Sequence, residues 1–364
     1  MAKFINEWEY LIHLLNAVLN KEQPEELPEE LDFGKLFTVS DSHSVANMAY
    51  YGIEKLAVKP QGELLKKWAE VRDKALSKDI IQEMELEQLT LAFTQAGVKF
   101  ITLKGTVLKK LYPQSDYRTM SDIDIFINND DADKAKKAML SLGYEVNSLE
   151  QGVHDVYYKK PVMNVEVHRD LFGNEGEEFS PLFEKIWDMA ENVKGTRYNL
   201  NVESCFMYIM AHGIKHYNLG GTGLRSFMDI YIFLKHYEID TEKIYSAFEK
   251  AGAGKEYRIF LDLAAMWFGG KPFTPECRKE EAFVISSGTY GNFENMVTRE
   301  MEGQSKGNYL FKKLFPGIKF MREQYPVLRR VPVLLPFCWV VRWIKALTVD
   351  RKSTAVKFRT FKDN

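Results

Sequence analysis

The sequence predicts an α+β protein in which a small core with a mixed β-sheet sits between N-terminal and C-terminal helical segments. Three observations lead there. Short β-rich runs are confined to residues 98–171, the runs on either side have helical apolar spacing, and glycines stand where the two patterns change over. At 364 residues and 45% hydrophobic, the chain exceeds what one compact unit usually holds, so several subdomains are expected.

Taken in order, "MAKFINEWEYLIHLLNAVLN" sets Glu7, Glu9 and His13 among apolar residues, as an amphipathic helix does and a signal peptide does not. A cytoplasmic location is the corresponding expectation. Residues 1–77 form a helical segment broken by "KEQPEELPEELD", and within it His43 reads as structural. "KDIIQEMELEQLTLAFTQAG", from residue 78, reads as a helix closed by Gly97, and "VKFITL" (98–103) as a strand. "KGTVLKKLYP" turns at Gly105, begins a short helix at Thr106 and stops before Pro113. The strand "MSDIDIFIN" follows, then a helix, "DDADKAKKAMLSLG", ending at Gly143. Three further strands are expected: "YEVNSL", then "VHDVYYKK" and "MNVEVHRDL" joined around Pro161.

The core therefore spans 78–175, and a helical domain on the acceptor side spans 176–305. A basic tail, 306–364, carries 14 Lys/Arg against three acids, a net +11 that leaves −13 for residues 1–305. Cys205, Cys277 and Cys338 are too scattered for a disulfide framework or a cysteine metal site. The longest uncharged apolar run, "VPVLLPFCWVV" (331–341), has 11 residues and two prolines, short of the roughly 20 needed to cross a bilayer.

The chemistry concentrates on "MSDIDIFIN". Residues two apart on a strand share a face, so Asp122 and Asp124 project together while the isoleucines pack behind. Adjacent carboxylates repel unless a cation lies between them, and Mg²⁺ takes one or two carboxylates together with substrate phosphates. In "MNVEVHRDL", Glu166 and His168 alternate with valines and add a third acid. Three carboxylates on neighbouring strands suit two metals. Upstream, Gly105 in "LKGT" permits close backbone approach to an anion, and Lys104, Lys109, Lys110 and Arg118 are nearby cations.

The run from "LKG" through "LYP" and "MSDIDIFI" to "VEVHRDL" resembles the bacterial nucleotidyltransferase family of the DNA polymerase β-like superfamily. The resemblance implies a polymerase β-like core that transfers a nucleoside monophosphate from an NTP to an acceptor hydroxyl with release of pyrophosphate. By that resemblance Asp122, Asp124 and Glu166 are catalytic and hold Mg²⁺ or Mn²⁺, and Lys104, Gly105, Thr106 and Arg118 bind the nucleotide, ATP foremost. Two departures stand out: Thr106 replaces the usual serine, and 15 residues separate it from Asp122. The acceptor expected is a small molecule or a protein side chain. The acidic body weighs against nucleic acid. The alternative reading is a non-catalytic NTP-binding or scaffold protein whose basic tail recruits a partner or a membrane.

In "AHGIKHY", His212 and His216 are spaced as a two-histidine metal pair, but without further ligands they read as structural. Lys215, His216 and His168 are substrate-contact candidates. Asp229, alone in an apolar helix, is expected to pair with Arg225 or a histidine. In the tail, a helix over "PFCWVVRWIKAL" puts Phe337, Val340, Val341, Ile344 and Leu347 on one face. Docking of that face on the body is the favoured reading, with contact to anionic lipid as the alternative.

Overall fold

The computed structural model describes residues 6–149, 154–289, 291–292, 295–296 and 305–348. Four helices open the chain: α1 (Glu7–Asn20), α2 (Phe33–Ser42), α3 (Ala46–Ile53) and α4 (Gly62–Gln95). Asn6 and Asp32 cap the first two through side-chain oxygens that accept from Glu9 N–H and Lys35 N–H. The helix expected from residue 78 begins at Gly62. Between that glycine and Gln95 the chain contains no proline and no further glycine, so nothing interrupts the helix until Gly97 adopts a left-handed turn at φ +67°.

A seven-stranded mixed sheet follows, built from β1 (Phe100–Thr102), β2 (Ile123–Ile127), β3 (Glu145–Leu149), β4 (His154–Lys159), β5 (Met163–His168), β6 (Ala190–Lys194) and β7 (Arg197–Leu200). Their order is β3-β4-β5-β2-β1-β7-β6, with β2 parallel to β5, and β1 antiparallel to β2 and parallel to β7. The five expected strands are present, although Val153 of "VHDVYYKK" lies outside the described residues. The β6–β7 hairpin was not expected and carries the sheet beyond residue 175. Four of the five β6 residues are exposed, so an apolar alternation is missing there.

The sheet divides two apolar cores. Ile123, Ile125 and Ile127 of β2 pack with Val165 and Val167 of β5 against the second half of α4 and against α6 (Ala132–Ser141). The opposite face of the sheet joins a larger cluster formed by α1–α3, Trp68, and the helices α7 (Val202–Asn218), α8 (Leu224–His236), α9 (Thr241–Lys250), α10 (Gly254–Trp267) and α11 (Pro275–Ser287). N-terminal and C-terminal helices thus share one core. Asn16 donates to the Trp267 carbonyl (2.9 Å), and Trp8 and Trp267 indoles both donate to Glu281 (3.3 and 2.9 Å).

The C-terminal segment comprises α12 (Lys306–Leu314), α13 (Ile318–Gln324), α14 (Val327–Arg330) and α15 (Leu335–Thr348), with a small cluster of its own around Met321, Leu328 and Cys338. Trp339 and Trp343 flank Phe315 and donate to the Pro316 and Leu314 carbonyls, which fixes the inner side of α15. The face expected to dock on the body does not: Phe337, Val340, Val341 and Ile344 are exposed. Edge-to-face contacts with Phe315 and the indole hydrogen bonds orient the helix more strongly than its apolar stripe does. The Leu347 side chain and residues 349–364 of the expected tail lie outside the described residues.

Candidate active site

The polar face of the sheet floors the site. Asp124 is paired in register with Glu166 across the parallel β2–β5 ladder, so both carboxylates leave the sheet on the side opposite the isoleucines and valines. Asp122 immediately precedes β2. All three acids line one cleft of about 1110 Å³, which α7, α8 and residues from Gln324 to Arg329 wall in.

Charge in the cleft is tightly organised. His168 Nε2 lies 3.0 Å from Asp124 Oδ1 and 3.5 Å from Glu166 Oε2, while Lys104 Nζ lies 3.2 Å from Asp124 Oδ2. Burial alone would push His168 down, but hydrogen bonds to Asp124 and Glu166 outweigh it and raise its pKa to about 9. His168 is therefore a cation at neutral pH. Burial opposes the charge on Asp124, yet Lys104 and His168 hold that carboxyl well below the usual range. Asp122 behaves in the opposite way: burial and the neighbouring Asp124 charge raise it to about 6. Glu166 is held down by the hydrogen bond from His168.

A second histidine layer comes from α7. Lys104 Nζ donates to His212 Nε2 (2.8 Å), and His216 Nε2 lies 3.2 Å from the same nitrogen. Burial, then Lys104, depresses His212, and the same causes lower His216 to about 4, so both rings are neutral at pH 7. Lys215 also faces the cleft, and burial lowers its pKa.

The expected phosphate-binding group is only partly assembled. Lys104 and Gly105 line the cleft, but α5 (Gly105–Leu108) is a single turn, so its dipole is small. The Thr106 hydroxyl is buried and donates to the Leu103 carbonyl (3.1 Å). Arg118 borders the cleft with its guanidinium already engaged: Nε and an Nη donate to the two oxygens of Asp229 (2.8 and 2.7 Å), and Tyr112 Oη donates to Asp229 Oδ1 (2.7 Å). Asp229 thus pairs with Arg118, not with Arg225 or a histidine. Arg225 donates to the Thr119 carbonyl and hydroxyl. Lys109 is not a cleft cation; it is buried against Asp79 and Glu83 (2.9 and 3.3 Å). Lys110 is exposed, 4.0 Å from Glu83.

Three cleft residues were not singled out for a role in the sequence. His212, expected to be structural, accepts from Lys104 through Nε2 and so orients it. His154 pairs in register with His168, its ring 5.0 Å away, and its Nε2 lies 4.0 Å from Glu166. Counting outward from the turn at Pro161 would have placed His154 there. Arg329 comes from the tail, and no local signal connects it to the cleft.

Among the described residues, ligand atoms of Asp124, Glu166 and His168 all lie within 4.8 Å of one another, close enough to share a metal ion; Asp122 lies outside that group. No curated protein and no solved structure matches the chain. A family model does, over residues 29–269, a span that includes the whole sheet, both acidic strands and the histidine helix α7. The chain belongs to that family, described as uncharacterised nucleotidyltransferase.

Proposed function

We propose that the protein transfers a nucleoside monophosphate from an NTP to a hydroxyl of a small molecule or a protein side chain, releasing pyrophosphate. The observation that carries this reading is the in-register pairing of Asp124 and Glu166 at the floor of a cleft lined by both acids and cations, with Asp122 two residues away.

A divalent metal fits this donor set. Lys104 and His168 already compensate the charge on Asp124, but Asp122, with less compensation, is pushed to about 6. Such a carboxylate cluster is short of positive charge, which a divalent cation supplies. Asp122, Asp124 and Glu166 would hold Mg²⁺ or Mn²⁺, with His168 adjacent; when bound, the metal neutralises phosphate charge and acidifies the attacking hydroxyl.

The remaining work falls to the chain itself. The acceptor oxygen attacks the α-phosphorus, the bond to the β-phosphate oxygen breaks, and the hydroxyl proton passes to a carboxylate oxygen of Glu166. Lys104, held in place by His212, and Lys215 face the triphosphate charge from the sheet and from α7. The walls supplied by α7 and α8 position the acceptor.

Calorimetric titration of Mg²⁺ and each NTP into wild type and into Asp122→Asn/Asp124→Asn tests the reading. Metal-dependent binding of a nucleotide to the wild type alone is expected. Binding without metal, or equal binding to both proteins, overturns the site. Metal-dependent binding with no pyrophosphate release across acceptor classes favours the non-catalytic alternative, in keeping with the inward-turned Thr106 hydroxyl.

A further inference from the structure

The C-terminal segment presents a surface that the nucleotide chemistry does not use. On α15, Phe337, Val340, Val341 and Ile344 fall at the i, i+3, i+4, i+7 spacing of one stripe, and Phe337 is 67% and Ile344 56% exposed. Val333, just before the helix, is 80% exposed, and Phe311 on α12 is 62% exposed. The stripe is not a packing face in waiting, since Trp339 and Trp343 already hold the other side of α15 against the Leu314–Pro316 turn. Residues 305–348 carry nine Lys/Arg and a single acid, a net +8. Lys312, Arg330 and Lys345 are exposed among them.

We infer that this segment is a docking surface for an anionic lipid bilayer, with the stripe of α15 seated at the level of the headgroups and the surrounding cations on lipid phosphates. Apolar side chains protruding from a segment rich in exposed cations match a bilayer interface, where the first partition among acyl chains and the second meet negative charge. A second copy docked segment to segment would bring two +8 surfaces together, so charge opposes that symmetric contact. Nucleic acid satisfies the cations and could stack on Phe337, but it leaves Val340, Val341 and Ile344 in water. Among the described residues no helix is long and apolar enough to cross a membrane, so attachment is peripheral. Gln324, Pro326 and Arg329 of the same segment line the cleft, so docking places the bilayer against a segment that helps wall it.

Sedimentation of the full chain with phosphatidylcholine vesicles, with and without phosphatidylglycerol, is the test. Binding to the anionic vesicles is expected to exceed binding to neutral ones by about tenfold or more and to weaken as salt is raised. Phe337→Glu/Ile344→Glu should lower anionic binding at least about tenfold with an unchanged circular dichroism spectrum. Phe337→Ser/Ile344→Ser serves if the charged variant misfolds. Lys312→Glu/Arg330→Glu, which keeps the stripe and halves the net charge of the segment, should sharply weaken the preference for anionic lipid. No binding to anionic vesicles, binding that the apolar variants leave intact, or stripe-dependent self-association in sedimentation velocity without vesicle binding would each overturn the inference.

Discussion

Asp122 and Asp124 stand two residues apart on one face, yet they ionise very differently because their neighbours differ. Asp124 has Lys104 and His168 within hydrogen-bonding range, whereas Asp122 has burial and the Asp124 charge against it. Asp124→Asn should therefore lower the Asp122 pKa from about 6 while leaving it above the ordinary value, since burial, the larger cause, persists. A carboxyl ¹³C titration of metal-free protein reads this directly; an unmoved Asp122 would mean the two do not interact. His168 makes a prediction in a separate pH window. Its folded pKa of about 9 exceeds the ordinary 6.5, so its contribution to stability is complete below 6.5 and is lost as pH rises through 9. Wild-type metal-free protein should lose on the order of 3 kcal/mol across that window relative to His168→Gln, measured by urea unfolding at several pH values. Parallel pH profiles for the two proteins would rule out the charged pair. That the three acids leave the sheet on one side was legible in the sequence, because the apolar residues alternating with them fix which face is buried. The histidine and lysine network around them was not, because it depends on which strands and helices become neighbours.

At the scale of elements, the strands that could be read were those with an apolar face. β2 and β5 alternate cleanly and place Asp124 beside Glu166, whereas β6 is an edge strand with little to bury and so leaves no alternation to read. Helix α4 shows the reverse problem: a polar stretch within it resembles a boundary, but polarity without a breaker does not end a helix. The loop before β2 is tied to α8 by the buried Arg118–Asp229 pair, which joins the sheet to the helical wall of the cleft. Replacing Arg118 by Met leaves Asp229 buried with only the Tyr112 hydroxyl, and should cost about 3–5 kcal/mol in urea unfolding. Arg118→Met/Asp229→Leu should recover much of that loss, because an apolar pair carries no stranded charge. A double variant no more stable than the single one would mean that the pair's hydrogen-bond geometry, rather than its charge balance, holds the joint. Gly105 belongs to the same joint. A methyl there would collide with Met120 Sδ and approach an Arg118 nitrogen at 3.1 Å, so Gly105→Ala should destabilise by about 1–3 kcal/mol. Adding Met120→Ala should return part of it, since the thioether is the nearer obstacle.

Across the whole molecule, the seven-stranded sheet is clamped by helices from both ends of the sequence. Amphipathic spacing shows that α1 and α10 each have an apolar face, but only the folded chain shows that these faces meet, with Trp8 and Trp267 in edge contact at 5.6 Å and sharing Glu281. A core built this way has no internal boundary at which part of it can open cheaply, because opening either set of helices strands the other's apolar surface. The C-terminal segment is different. Its own cluster is small, and much of its apolar surface already faces solvent. Native-state hydrogen exchange should accordingly find the slowest amides of α1, α7 and α10 opening together at the global unfolding free energy, with α13 and α15 opening well below it. Separate opening of α1–α3 from α7–α10 would show that the N-terminal helices are an appendage rather than half of the clamp. Slow exchange in α15 equal to that of α10 would show that the tail is bound to the body more firmly than its exposed stripe suggests.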